Sequence, residues 1–312
     1  MEWKSFLEGG VASIVAGSLT HPLDLIKVRM QLQVEPIPVA QVHQSLAFAG
    51  GHTASIAAAA PRTAGPIAVG IRVVQTEGAR ALFSGVSAAV LRQTLYSTTR
   101  LGLYDVMKKK WQEPDGSLPL PKKIGAGLVA GAIGAAVGNP ADVAMVRMQA
   151  DGRLPLAQRR NYAGVGDALF RMARQEGIKA LWTGSGPTVQ RAMIVTAAQL
   201  ATYDQTKEAL LRNRVTRDGF GTHVAASFSA GFVASVASNP IDVIKTRIMN
   251  MSVQAGEEAP YKGTLDCAVK TIKAEGPMAL YKGFVPTVSR QGPFAVVLFV
   301  TLEQMRSLLK NV

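Results

Sequence analysis

The sequence predicts an all-α membrane protein made of three two-helix units, six crossings in all, with a short amphipathic helix inside each unit. Three observations predict it. One motif is written three times, as Pro22-Leu23-Asp24-Leu25-Ile26-Lys27-Val28-Arg29, Pro140-Ala141-Asp142-Val143-Ala144-Met145-Val146-Arg147 and Pro240-Ile241-Asp242-Val243-Ile244-Lys245-Thr246-Arg247. The acidic-Gly pairs Glu77-Gly78, Glu176-Gly177 and Glu275-Gly276 recur 99 residues apart in both steps. Apolar segments rich in small residues run up to each proline. Internal self-similarity of this kind governs the whole fold.

Each unit opens with an odd-numbered helix that ends in the motif. Ile124–Ala141 and Gly219–Ile241 carry no charge, and the second is long enough to cross a bilayer alone, which takes about 20 residues. Small residues recur four apart, at Gly9 and Ser13, Gly127 and Gly131, and Ser227 and Gly231, a pattern that lets helices pack closely in lipid. A soluble helical solenoid also repeats, but uncharged length favours the membrane. From the motif proline to the acidic-Gly pair the distances are 55, 36 and 35 residues, so the first unit carries an inserted loop at about 33–64. Short amphipathic helices follow, near Gly65–Glu77, Ala163–Glu176 and Gly263–Glu275, and suit a place along the membrane surface. Even-numbered helices then run near Ser84–Lys108, Gly184–Lys207 and Gly283–Arg306. The units are 1–112, 113–212 and 213–312.

Composition bounds the function. Hydrophobic residues make up 48% of the chain and its mean hydropathy is only slightly positive, which fits helices that line water on one face. The formal net charge of +13 fits anionic substrates or membranes, and no nucleic-acid signature accompanies it. Cys267 stands alone, so an intrachain disulfide framework is excluded and a buried, core-like role is expected. The charges at Glu2, Lys4 and Glu8 argue against a secretory signal. The four histidines are scattered, and neither a nucleophile-base motif nor a phosphate-binding glycine loop is present. An enzyme is not expected, nor is a cofactor.

The even helices carry the binding chemistry. Arg92, Arg191 and Arg290 stand 99 residues apart, each 13 residues before the acid near its helix end. At 1.5 Å per residue that is roughly 20 Å, so all three lie at one depth inside the membrane. Arginine stays protonated, and such cations are costly in lipid unless they face water and meet anions. Guanidinium forks grip carboxylate, phosphate or sulfate through paired hydrogen bonds. The expected ligand is a small dianion.

The motif P-x-[DE]-x-x-[KR]-x-[KR], written three times and followed each time by an acidic-Gly pair and an aromatic-x-Gly element (Phe83-Ser84-Gly85, Trp182-Thr183-Gly184, Tyr281-Lys282-Gly283), resembles the mitochondrial carrier family of the inner membrane. The stretch Thr20–Val28 and the Ala-rich first loop are similar to plant dicarboxylate carriers of the uncoupling-protein-like group. The resemblance implies six tilted helices around a central cavity, three matrix-side surface helices and exchange by alternating access. It implies malate, oxaloacetate or succinate exchanged with one another or with phosphate or sulfate. A proton or anion leak of the uncoupling type and an oxoglutarate/malate exchange remain alternatives. The other expected partner is membrane lipid, and the carrier is expected to be monomeric.

Residue by residue, the resemblance makes Arg92, Arg191 with Ala192, and Arg290 the substrate contacts. It pairs Asp142 with Lys245 and Asp242 with Lys27 in a matrix gate, and leaves Asp24 facing Met145 without a partner. Gln31 and Gln149 occupy glutamine-brace positions, while Met249 breaks the third. The cytoplasmic gate pairs Asp105 with Lys207, Asp204 with Arg306 and Glu303 with Lys108, with Tyr104 and Tyr203 as braces. With Met145 weakening the matrix ring, a bias away from the state with that ring closed is expected. Gly65, Gly164 and Gly263, with Gly85, Gly184 and Gly283, resemble the family's cardiolipin sites, because helix N-termini bind phosphate. His21 beside Pro22 is expected to serve local packing.

Overall fold

A computed structural model describes residues 2–33, 65–112, 119–212, 220–252 and 259–310. The inserted loop at 33–64 and the joints between units fall almost wholly outside the described residues. Helices account for nearly all that is described, and no strand occurs among the described residues. The first odd limb consists of α1 (Glu2–Leu19) and α2 (His21–Gln31). Then come α3 (Pro66–Glu77), α4 (Val86–Trp111), α5 (Leu120–Ala150), α6 (Val165–Gln175) and α7 (Ser185–Arg212). The last unit holds α8 (Phe220–Asn250), α9 (Thr264–Glu275) and α10 (Phe284–Lys310).

The motif proline acts differently in the three units. It removes one backbone donor, which invites a bend. Between Glu8–Leu19 and His21–Gln31 the limb turns by 58°. There the Thr20 hydroxyl donates to the Ala16 carbonyl at 2.8 Å, a back-bond that favours bending. In α5 and α8 the helix continues through Pro140 and Pro240.

Each even helix packs more extensively on the odd helix of the next unit than on that of its own. Small residues allow this. A side chain at Gly134 of α5 would lie 3.2 Å from the Tyr96 carbonyl of α4. The close approach is therefore at Gly134 and not at the sequence-marked Gly127 or Gly131, which have open space beside them. The apolar core sits at the motif end. Val28, Leu32, Val143 and Met172 form its main cluster, and Cys267 packs with Ile244 and Ile248. Along the limbs, large apolar residues such as Phe228, Val296 and Phe299 face outward.

Two described helices, Gly125–Arg153 and Pro277–Met305, are long and apolar enough to cross a membrane, and the bent first limb makes a third. Gly219–Ile241 was expected to cross alone. Its length suffices, but Gly, Ser, Thr and Asn dilute the hydropathy of α8. In α4 and α7, inward-facing charges such as Arg92 and Arg191 do the same.

Candidate functional site

A cavity of roughly 320 Å³ lies among the limbs, and all three even-helix arginines line it. It is floored by the three motifs, which contribute Asp24, Asp142 and Asp242 with Lys27 and Lys245. The 99-residue repeat thus places like residues at one level. Arg92, Arg191 and Arg290 each meet a motif aspartate at the same position.

The motif end is closed by ion pairs. Lys27 Nζ is 2.7 Å from Asp242 and Lys245 Nζ is 3.0 Å from Asp142. The same carboxylates also hold arginines. Arg191 Nε donates to Asp242, and Arg92 Nε stands 3.3 Å from Asp142. Asp24 departs from expectation. It was to lack a partner because Met145 replaces a cation, yet Arg290 Nη1 lies 2.7 Å from its carboxylate. The physical reason is local charge balance: a carboxylate at the cavity floor is stabilised by the nearest cation, and α10 supplies one. The triad arginines are therefore counter-ions of the motif acids as well as cavity-facing groups. Nε of Arg92 and of Arg290 keeps no hydrogen-bond partner.

Other expectations need correction. Ala192 is exposed and does not line the cavity, because the next helical residue points about 100° away from Arg191. Neither glutamine is hydrogen-bonded to a gate ion pair. Gln31 accepts from Thr246 at 2.7 Å, and Gln149 meets His21 at 3.4 Å. At the far mouth Asp105, Lys108 and Glu303 are exposed, and among the described residues no ion pair joins Glu303 to Lys108. Tyr104 and Tyr203 are half-buried, Tyr203 and Lys207 each make an interaction, and the side chains of Asp204 and Arg306 lie outside the described residues.

Gly65, Gly164 and Gly263 cap the starts of α3, α6 and α9, with open space beside each. Gly85, Gly184 and Gly283 precede the even helices at φ 88°, 81° and 80°, a region where side chains are strained. They also touch the next motif. A Cβ on Gly184 would come within 2.7 Å of Met249, and one on Gly283 within 3.1 Å of the Lys27 carbonyl.

In the sequence, Arg29, Arg147 and Arg247 and the glutamates Glu77, Glu176 and Glu275 stand as separate landmarks. The structure joins all three. Each guanidinium is buried and grips its glutamate with two N–H groups, the Nη2 contacts being 2.8, 2.8 and 2.9 Å. Each Nε then donates to a carbonyl of the next motif limb, at Gln149, Met249 and Gln31. The constant spacing of both landmarks was the signal. Hydrogen bonds from Arg29 hold the Glu77 carboxyl below its ordinary value. Burial would raise Glu275, but hydrogen bonds from Arg247 and Lys282 outweigh it and hold that group low too.

The residue before each proline was missed as a set. His21 is fully buried and its Nε2 contacts the Ser84 carbonyl at 2.8 Å. Asn139 donates to the carbonyls of Leu181 and Thr183, the second being the repeat equivalent of Ser84, and Asn239 donates to Leu280. Polarity at that position in all three copies could have revealed the set.

A family model described as mitochondrial carrier protein matches residues 2–115, 116–214 and 216–312. The chain belongs to the mitochondrial carrier family. The carrier is 67% identical to mitochondrial uncoupling protein 4 of Arabidopsis thaliana over 99% of both chains. It is 64% identical to mitochondrial uncoupling protein 5 of the same plant, over 100% of this chain and 99% of the relative. It is 42% identical to the mitochondrial 2-oxoglutarate/malate carrier protein of Bos taurus, over 98% of this chain and 91% of the relative. It is thus a multi-pass protein of the mitochondrial inner membrane in the uncoupling-protein-like group, and a transporter rather than an enzyme.

Proposed function

We propose that the carrier exchanges small dicarboxylates such as malate, oxaloacetate and succinate, with one another or with phosphate or sulfate, by alternating access. One observation carries the reading. The cavity is lined by three arginines, two lysines and three aspartates, a formal surplus of two positive charges that a dianion neutralises. That surplus would be costly at membrane depth without such a guest. Two forks suit two carboxylates, with the third setting orientation.

In this reading six limbs span the membrane, and α3, α6 and α9 lie along its matrix side. Lys27, Asp142, Asp242 and Lys245 form the matrix gate, and Asp105, Lys108, Lys207 and Glu303 belong to the cytoplasmic one. The glycine-capped helix starts at Gly65, Gly164 and Gly263, together with those after Gly85, Gly184 and Gly283, suit the phosphates of cardiolipin.

Reconstituted exchange across a panel of internal and external anions tests the function. Arg92→Ala, Arg191→Ala or Arg290→Ala is expected to lower dicarboxylate uptake by about 100-fold or more, equivalent to the loss of a charge-assisted fork. Near-normal uptake in all three removes the site. A proton leak is the second reading, favoured by the names of the Arabidopsis relatives. Fatty-acid-stimulated, nucleotide-inhibited proton flux in the same vesicles decides for it.

A further inference from the structure

We propose that Arg290 is the third cation of the closed motif end, and that this end opens only when a ligand's second negative charge takes Arg290 away from Asp24. The proposal rests on the exchange reading above for its ligand, but not for its ion pair.

The three motif acids differ in what they keep if the arginines leave. Asp142 holds Lys245 at 3.0 Å besides Arg92, and Asp242 holds Lys27 at 2.7 Å besides Arg191. Asp24 holds Arg290 at 2.7 Å, and Met145 stands where the repeat has lysine in the other two copies. Arg92 and Arg191 can therefore turn to a ligand while each acid retains a lysine. Arg290 does so only at a cost, because its departure strands a carboxylate whose side chain is only 19% exposed. Stranding one partner of a half-buried pair is destabilising, though less than in a fully buried one. The ligand must offset that cost, and a ligand offsets it only by binding Arg290 better than Asp24 does.

Arg290 is built to change partners. Its guanidinium lies over the Phe294 ring at 5.2 Å, a face on which it can pivot, and its Nε has no hydrogen-bond partner. Charge then decides transport rather than binding alone. A monoanion is satisfied by Arg92 and Arg191 and leaves the floor closed. A dianion recruits Arg290 and releases Asp24, the step without which the floor stays closed. The floor reads the second charge.

A stability cycle on the ligand-free full chain tests the ion pair without any transport. Arg290→Ala is expected to lower the unfolding midpoint by roughly 4 °C. In a Met145→Lys background the same change costs less than half as much, because the introduced lysine now serves Asp24. In a Met145→Leu background the full cost remains, which separates charge from packing. Equal costs in the lysine and leucine backgrounds overturn the proposal. Reconstituted protein tests the charge reading with two permanently ionised probes of one geometry. Sulfate exchanges, while methanesulfonate competes with sulfate at the cavity but is exchanged at least about tenfold more slowly. Met145→Lys slows sulfate exchange about tenfold and lowers its half-saturating concentration. Comparable exchange of both probes, or an unaltered rate in Met145→Lys, overturns it. A non-additive cycle in protein that exchanges no dianion leaves the ion pair standing and rejects the exchange reading instead.

Discussion

At the motif end of the cavity, Lys27, Asp242, Lys245 and Asp142 have side chains at most 16% exposed and pair at 2.7 and 3.0 Å. At the opposite mouth, Asp105, Lys108 and Glu303 are the same residue types at equally regular spacing, yet they stand exposed. What differs is the support behind them. The motif end is backed by α3, α6 and α9, by three buried Arg–Glu clamps and by the apolar clusters around Val143, Leu25 and Ile244. Among the described residues no buried apolar cluster includes a neighbour of Asp105, Lys108 or Glu303. An ion pair held by a buried shell is expensive to break, whereas an exposed one contributes little. The same charges make a firm floor at one end and a loose rim at the other.

The comparison is broken most sharply at a clamp. Arg147→Leu leaves the buried Glu176 carboxylate without its fork, and a loss of about 3–5 kcal/mol is expected in chemical or thermal unfolding. Glu303→Gln at the exposed rim is expected to leave the unfolding midpoint where it was. Equal destabilisation by the two changes would erase the distinction between floor and rim.

Gly184→Ala gives a smaller effect. Its φ of 81° and the 2.7 Å approach to Met249 predict a loss of about 1–3 kcal/mol by thermal unfolding, partly restored by Met249→Ala. No restoration would show that backbone strain, not the contact, sets the cost.

Acid sharpens the contrast most gently. Glu77 and Glu275 are held below the ordinary value of 4.5 by their arginine clamps. A carboxyl lowered in the folded state contributes stability that is complete above its unfolded value and is lost as pH falls through its folded value. Stability should therefore be flat down to about pH 4.5 and decline below it, as the clamps at the motif end are protonated. A decline already complete at that pH would mean the clamps do not carry it.

The repeat and the order of long and short helices were legible because spacing alone carries them, while the pairing of Lys27 with Asp242 came with the family resemblance. Spacing cannot show that one carboxylate accepts from two cations, so the hold of Arg92 on Asp142 and of Arg290 on Asp24 stayed hidden. Nor does it tell which way a side chain turns once the helix is placed. Ala192, a substrate contact by resemblance, is exposed and is not among the residues that line the cavity. The clamps were missed because their partners lie 28 to 48 residues apart and belong to different helices. Only the folded limb brings Arg29 beside Glu77.

The clamps also run in a circle. Arg29 donates to a carbonyl of the second unit, Arg147 to one of the third, and Arg247 to one of the first. No unit finishes its own base; each borrows an acceptor from its neighbour, and the last borrows from the first. A two-unit fragment would leave an arginine donor without its acceptor and a terminal carbonyl without its donor, whichever unit was removed. Three is therefore the smallest number of units that closes the loop, and the base stands or falls as one piece.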